Sequence, residues 1–144
     1  TDYQRWIDSF HTGFNLQCIR YFLREGLAAE AATGYERGVR FYAENFFLPN
    51  GTPKYYHDRV YPIDIHSPTQ AIVFFSDQGM EHVELTEKVL DWMMENMWDP
   101  HGFFYFQRQK GRVIRIPYMR WGQAWGFHAL TEYVLACSNR LKAE

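Results

Sequence analysis

Phe14, Cys18, Tyr21 and Phe22 recur at three- and four-residue steps, the spacing of one face of a helix. The pattern predicts a helix over about 11–25, stopped by Gly26. Tyr35, Val39, Tyr42, Ala43 and Phe46 hold the same register and predict a second helix over about 28–47. Pro49 cannot extend it, and Asn50-Gly51 is turn chemistry. Residues 48–66 then lose all periodicity. A structureless connection of that length is uncommon in a compact domain and often functional. A third helix is expected over about 67–76, with Pro68 in the first turn, where its missing N–H costs nothing. Leu85, Val89, Trp92, Met93 and Met97 mark the inward face of a fourth, over about 83–98. Residues 103–107 and 112–116 flank Arg108-Gln109-Lys110-Gly111 and read as a small β-hairpin near 103–116. A fifth helix is expected over about 121–139.

The pattern also repeats. Glu44-Asn45-Phe46-Phe47-Leu48-Pro49-Asn50-Gly51 returns 51 residues later as Glu95-Asn96-Met97-Trp98-Asp99-Pro100-His101-Gly102. Out of phase with it, His11–Asn15, His66–Gln70 and Met119–Gln123 recur at steps of 55 and 53 residues. Self-similarity of this kind marks units that bury their apolar faces only by stacking on one another. The expected fold is therefore all-α: tandem antiparallel helical hairpins, with long loops gathered at one rim and short turns around Gly26 and Gly79 at the other.

At 144 residues the chain has the length of one domain, and residues 1–144 read as a single helical-hairpin repeat domain. Composition adds one point: aromatic residues make up 19%, more than a helical core needs. The surplus suits a groove for ring-shaped ligands. A net charge of −2 with evenly spread signs argues against a nucleic-acid partner. No apolar run approaches the roughly 18 residues of a membrane span, and no signal peptide is visible, so a cytoplasmic location is expected. Cys18 and Cys137 lie on separate helical patterns and read as free buried thiols rather than a disulfide.

Three groups of residues could carry chemistry. Asp8 and His11, then Asp64 and His66, each place a carboxylate just before a histidine at a helix start. Such a pair suits general acid/base work, because imidazole titrates near neutrality and a carboxylate can orient it. The plainer alternative is that Asp8, Asp64, Ser9 or Ser67 caps a helix while His66 bonds a loop carbonyl. A metal site built from His11, His57, Asp58, Asp64 and His66 matches no zinc or non-haem iron spacing; no metal and no cofactor are expected. The second group is Tyr118, Arg120, Trp121, Gln123 and Trp125, joined by Gln70 in the same repeat phase. Arginine recognises a carboxylate or phosphate, the aromatic rings offer faces to sugar C–H patches, and glutamine suits hydroxyls. The competing reading is a helix start with core tryptophans and a solvated arginine. The third group, Lys54, Tyr55 and Tyr56 with Tyr105 and Gln107, reads as rim packing or as further sugar subsites. A phosphate-binding glycine loop, a nucleophile elbow and a Cys–Cys metal motif are all absent.

His11-Thr12-Gly13-Phe14-Asn15-Leu16, Tyr61–His66 with Gln70-Ala71-Ile72, and Ile116–Trp125 together resemble the C-terminal half of α/α-toroid (six-hairpin) proteins. Within that superfamily the likeness is to bacterial polysaccharide-biosynthesis proteins of the VpsJ type, with sugar epimerases and six-hairpin glycosidases more distant. The resemblance implies a barrel of paired helices with a cleft at one end, and places His11, Asp64, His66, Gln70, Arg120, Trp121 and Gln123 in it. It implies a carbohydrate-active protein working on an oligosaccharide or uronate-containing glycan by acid/base chemistry, as an epimerase or lyase rather than a hydrolase. The catalytic candidates are His66, Asp64 and His11. The candidates for binding substrate are Gln70, Tyr118, Arg120, Trp121, Gln123, Trp125 and Tyr56. A full toroid needs about twice as many helices, so the resemblance implies a missing N-terminal half, a homo-oligomer that completes the ring, or an open arc. The alternatives are a non-catalytic glycan-binding module and a helical-repeat interaction module.

Overall fold

The computed structural model describes residues 6–79 and 81–143. Among them are five α-helices: α1 (Ser9–Arg24), α2 (Ala32–Asn45), α3 (His66–Ser76), α4 (Val83–Met97) and α5 (Ala124–Ala143). The chain is mostly helical, with two small antiparallel sheets. One joins β1 (Ile63–Asp64), β4 (Gln107–Gln109) and β5 (Arg112–Ile114); the other pairs β2 (Trp98–Asp99) with β3 (Phe103–Phe104).

α3 is the axis of the molecule. Every residue from His66 to Phe75 is buried, because α1, α4 and α5 all pack on it. α2 in turn packs on α1. The core gathers Tyr42 from α2 and Phe46 just past its end, Ile72, Phe74 and Phe75 from α3, and Val89, Met93 and Met97 from α4. Burying each such side chain is worth about 1.5–3 kcal/mol. The inward faces expected for the second and fourth helices are those observed, with Tyr35, Ala43 and Leu85 half-buried at their margins.

The first helix departs from its reading. Phe14, Tyr21 and Phe22 are exposed, and the buried residues of α1 are Ser9, Gly13 and Leu16. Close approach explains it. A Cβ on Gly13 would lie 2.9 Å from both the Gln70 Cγ and the Tyr42 hydroxyl oxygen, so only glycine lets α1 settle onto α2 and α3. Exposed Phe127, Val134 and Leu135 leave a second apolar stripe on α5.

At the end holding Gly26 and Gly79, Arg20 clamps three helices. Its guanidinium reaches the Asp77 carboxylate at 2.8 Å and the Asp77 carbonyl, both at the end of α3. It also bonds the Gln78 amide oxygen at 2.8 Å. Tyr35, near the start of α2, donates to that same oxygen at 3.1 Å. Thus α1 and α3 finish where α2 begins, and their starts lie together at the opposite end.

The 51-residue repeat is visible in backbone hydrogen bonds. Gly51 N–H donates to the Leu48 carbonyl and Gly102 N–H to the Asp99 carbonyl, both at 2.9 Å. Lys54 N–H donates to Phe46 at 2.8 Å, and Tyr105 N–H to Met97 at 2.7 Å. Asn45 and Asn96 each turn their amides back onto the carbonyl four residues earlier, at 2.9 Å. Each helix therefore ends in the same turned-back ribbon, the first seen as a Phe47–Pro53 bridge and the second as β2–β3.

Several expectations need correction. The region 48–66 is not structureless: it contains β1 and bridges pairing Tyr56 with Asp8 and with Arg59. The segment 103–116 is two ribbons, not one hairpin. β3 returns to β2, and only β4 and β5 form the hairpin around Gly111, whose φ is +78°. Cys18 and Cys137 are free but half-buried.

Candidate functional site

A cleft opens where α1 and α3 begin and the chain enters α5. One lobe, about 570 Å³, is bordered by Asp8, Phe10 and His11 from the start of α1, and by Arg120, Trp121 and Trp125 from the approach to α5. A second lobe, about 450 Å³, is bordered by Phe106, Gln107 and Tyr118. Tyr55, Asp64, His66 and Trp121 belong to both.

Local structure explains how each group arrives there. Asp8 is the N-cap of α1, its Oδ1 accepting the His11 N–H at 2.9 Å, which satisfies one orphan donor of the first turn. The same carboxylate lies 2.9–3.0 Å from His11 Nδ1 through both oxygens. Asp64 does related work for α3: its Oδ1 accepts the His66 N–H at 3.0 Å, while His66 Nδ1 stays 3.7 Å away. The His66 imidazole is held by rings instead, with centroids of Phe10, Trp121 and Trp125 at 5.3, 5.9 and 6.3 Å, all edge-on.

The third wall begins with a wide turn. Met119–Gln123 form a π-helical segment before α5, closed by the Gln123 N–H on the Tyr118 carbonyl at 3.2 Å. Such π-helical turns are frequent at functional sites. Gly122 is buried here, with room for a Cβ only 3.2 Å from Ile65. No side chain caps this start, and among the described residues Arg120 has no carboxylate within 4.0 Å. Free N–H groups at a helix start carry partial positive charge. Arg120 adds a full one beside them.

Burial raises the Tyr55 phenol to about 12, helped by the nearby Asp64, Tyr56 and Asp8. Tyr55 is therefore a neutral O–H donor at any ordinary pH. The cleft thus offers a phenol donor, two imidazoles, two carboxylates, a guanidinium and several ring faces within one concavity.

The structure brings His11, Asp64, His66, Arg120, Trp121 and Trp125 to the first lobe and Tyr118 to the second. It does not bring Gln70, Gln123 or Tyr56. Gln70 is fully buried one turn beneath His66, where its Nε2 donates to the Gln17 amide oxygen at 3.0 Å. Gln123 spends its whole amide on the backbone of Phe104: Oε1 accepts the N–H at 2.7 Å and Nε2 donates to the carbonyl at 2.8 Å. Tyr56 packs against Trp6 and Tyr55, with the Arg59 guanidinium 4.6 Å from its ring centre. All three carry packing rather than ligand positions.

Sequence reasoning passed over Phe10 and Phe106. Phe10 lies one helical turn before Phe14, the only hint it had. His57 turns onto Phe41 and Phe46, and Asp58 pairs with Arg59, so the five residues weighed as a metal site do not converge. Among the described residues no group of three His, Cys, Asp or Glu side chains is placed to hold a metal ion. No described helix is long and apolar enough to cross a membrane. Comparison of the chain with protein-family models, with curated proteins and with solved structures finds no match.

Proposed function

We propose that the protein is carbohydrate-active and processes a uronate-containing oligosaccharide by acid/base chemistry, as an epimerase or lyase. The observation that carries this reading is the setting of His66, which borders both lobes of an aromatic-walled cleft together with Asp64, in the same lobe as Arg120, a cation with no carboxylate within 4.0 Å among the described residues. Removing the proton next to a uronate carboxyl group requires a base at that carbon and a cation on the carboxylate. His66 serves as the base, Arg120 holds the carboxylate, and the Tyr55 hydroxyl, which borders the same two lobes, supplies a proton. Trp121 and Trp125 stack on ring faces. Hydrolysis would need two carboxyl groups free to act, whereas Asp8 and Asp64 each hold a backbone N–H. The helical hairpins form, in this reading, part of an α/α toroid: α1, α3 and α5 begin at the cleft, and α2 packs outside α1 as α4 does outside α3.

The test is His66→Ala on a panel of uronate oligosaccharides. Elimination is followed by the ultraviolet absorbance of the unsaturated product, and epimerisation by solvent deuterium uptake. Turnover should vanish while the helical circular dichroism persists; retained turnover would remove His66 from the chemistry. A non-catalytic glycan-binding module is the second reading. It is favoured by the structural employment of both carboxylates, and glycan binding without product by the wild-type protein would establish it.

A further inference from the structure

The two lobes are lined by different chemistry, and that difference specifies the ligand more narrowly than the cleft as a whole. This inference rests on the carbohydrate reading and adds a length and a polarity to it. Each lobe alone falls within the roughly 300–1,000 Å³ of small-molecule sites, so each can take a ring of its own. The first, about 570 Å³, contains Arg120, the one lining cation without a carboxylate within 4.0 Å among the described residues. Its two carboxylates are already engaged, Asp8 on His11 and Asp64 on the His66 N–H. The second, about 450 Å³, adds no cation of its own: Gln107 and Tyr118 offer neutral hydrogen bonds, and Phe106 packs edge-on to Tyr118 at 4.9 Å between ring centres. Trp121, largely exposed, borders both lobes.

We infer that the ligand spans at least two linked sugar rings, an acidic one in the Arg120 lobe and a neutral one in the Gln107–Tyr118 lobe, with the bond between them lying over His66. A free monosaccharide would fill only one lobe and forfeit the contacts of the other. An acidic ring in the second lobe would meet no cation of that lobe's own.

Calorimetric titration reads each part separately. The probes are glucuronate, cellobiose, and a panel of disaccharides joining glucuronate to a neutral hexose through different linkages. The best disaccharide should bind at least tenfold more tightly than glucuronate. The double change Gln107→Ala with Tyr118→Ala should bring that disaccharide down to the affinity of glucuronate and leave glucuronate itself unchanged. Arg120→Gln should weaken glucuronate and the acidic disaccharide about tenfold and leave cellobiose as it was. Equal affinity for glucuronate and for every disaccharide would overturn the two-ring inference while the carbohydrate reading stood. Arg120→Gln weakening cellobiose as much as the acidic probes would overturn the assignment of charge to the first lobe. Binding of no probe in the panel would overturn both the inference and the reading beneath it. Circular dichroism of each variant, matched to the wild type, assigns the losses to the cleft.

Discussion

Asp8–His11 and Asp64–His66 are the same pair of residues in the same place, a helix start at the cleft, yet they are built differently. His11 is tied down: its ring nitrogen lies 2.9–3.0 Å from both oxygens of Asp8 while its side chain stands 68% exposed. His66 is nearly enclosed, at 9% exposure, and is steered by aromatic edges, its nitrogen 3.7 Å from Asp64 and beyond hydrogen-bond range. The first pair is a finished structural unit. The second is an imidazole set among ring edges, with no hydrogen bond to its ring nitrogens among the described residues. Hydrogen bonds of catalytic groups are often long until a ligand arrives, so the gap at Asp64 suits a pair that closes on substrate. The lesson is that the motif alone does not assign the role; the partner of the ring nitrogen does.

The comparison breaks first on activity. His66→Ala should lower turnover of a uronate disaccharide by at least about a hundredfold, whereas His11→Ala should cost less than about tenfold. Equal losses in steady-state rates would erase the distinction. Next comes Asp64→Asn, which keeps an oxygen for the His66 N–H but removes the charge. It should cost about tenfold in kcat with little change in KM or melting temperature, an asparagine oxygen being an adequate cap. A loss confined to KM would instead make Asp64 a binding group.

On stability the order reverses. Asp8→Ala removes a cap and should cost about 1–2 kcal/mol in urea unfolding, while exposed His11→Ala should cost less than about 0.5 kcal/mol. If both variants unfold with the wild type, the cap is decorative.

The smallest effect is on pH. Burial and then Asp64 raise the Tyr55 phenol to about 12, so the fold favours its neutral form. That stabilisation is complete below the ordinary tyrosine value near 10 and is lost as pH climbs through about 12. Ultraviolet titration should show, beside the enclosed Tyr42 phenol that burial also raises, a late phenol that Tyr55→Phe removes and Asp64→Asn shifts down. An unmoved midpoint in Asp64→Asn would separate Tyr55 from the pair.

The helices were legible because their apolar spacing is, and their ends fall within a few residues of where Gly, Pro and Asn stand. Convergence of His11, His66 and Arg120 was legible because recurrence in phase with helix starts carries residues to the same rim. The two glutamines show where phase stops informing. Gln70 shares a face with His66 but lies one turn deeper, and whether that turn is open or covered depends on how closely α1 approaches. That approach is set by Gly13, a residue with no side chain to announce it. The first helix misleads for the same reason: its apolar face is not its packing face. Strands of two or three residues leave no periodicity at all, and β1 finds its partner β4 more than forty residues away.

Gln123 takes the part of a missing strand, offering Phe104 the donor and acceptor that a neighbouring backbone would supply. Its amide is a hinge pin between the wall that carries Tyr118, Arg120 and Trp121 and the ribbon tip at His101, which is anchored in turn to the end of α4 by the Tyr105–Met97 bond. Loss of that one amide would take a partner from both polar groups of the Phe104 backbone, at the spot where the ribbon meets the cleft wall.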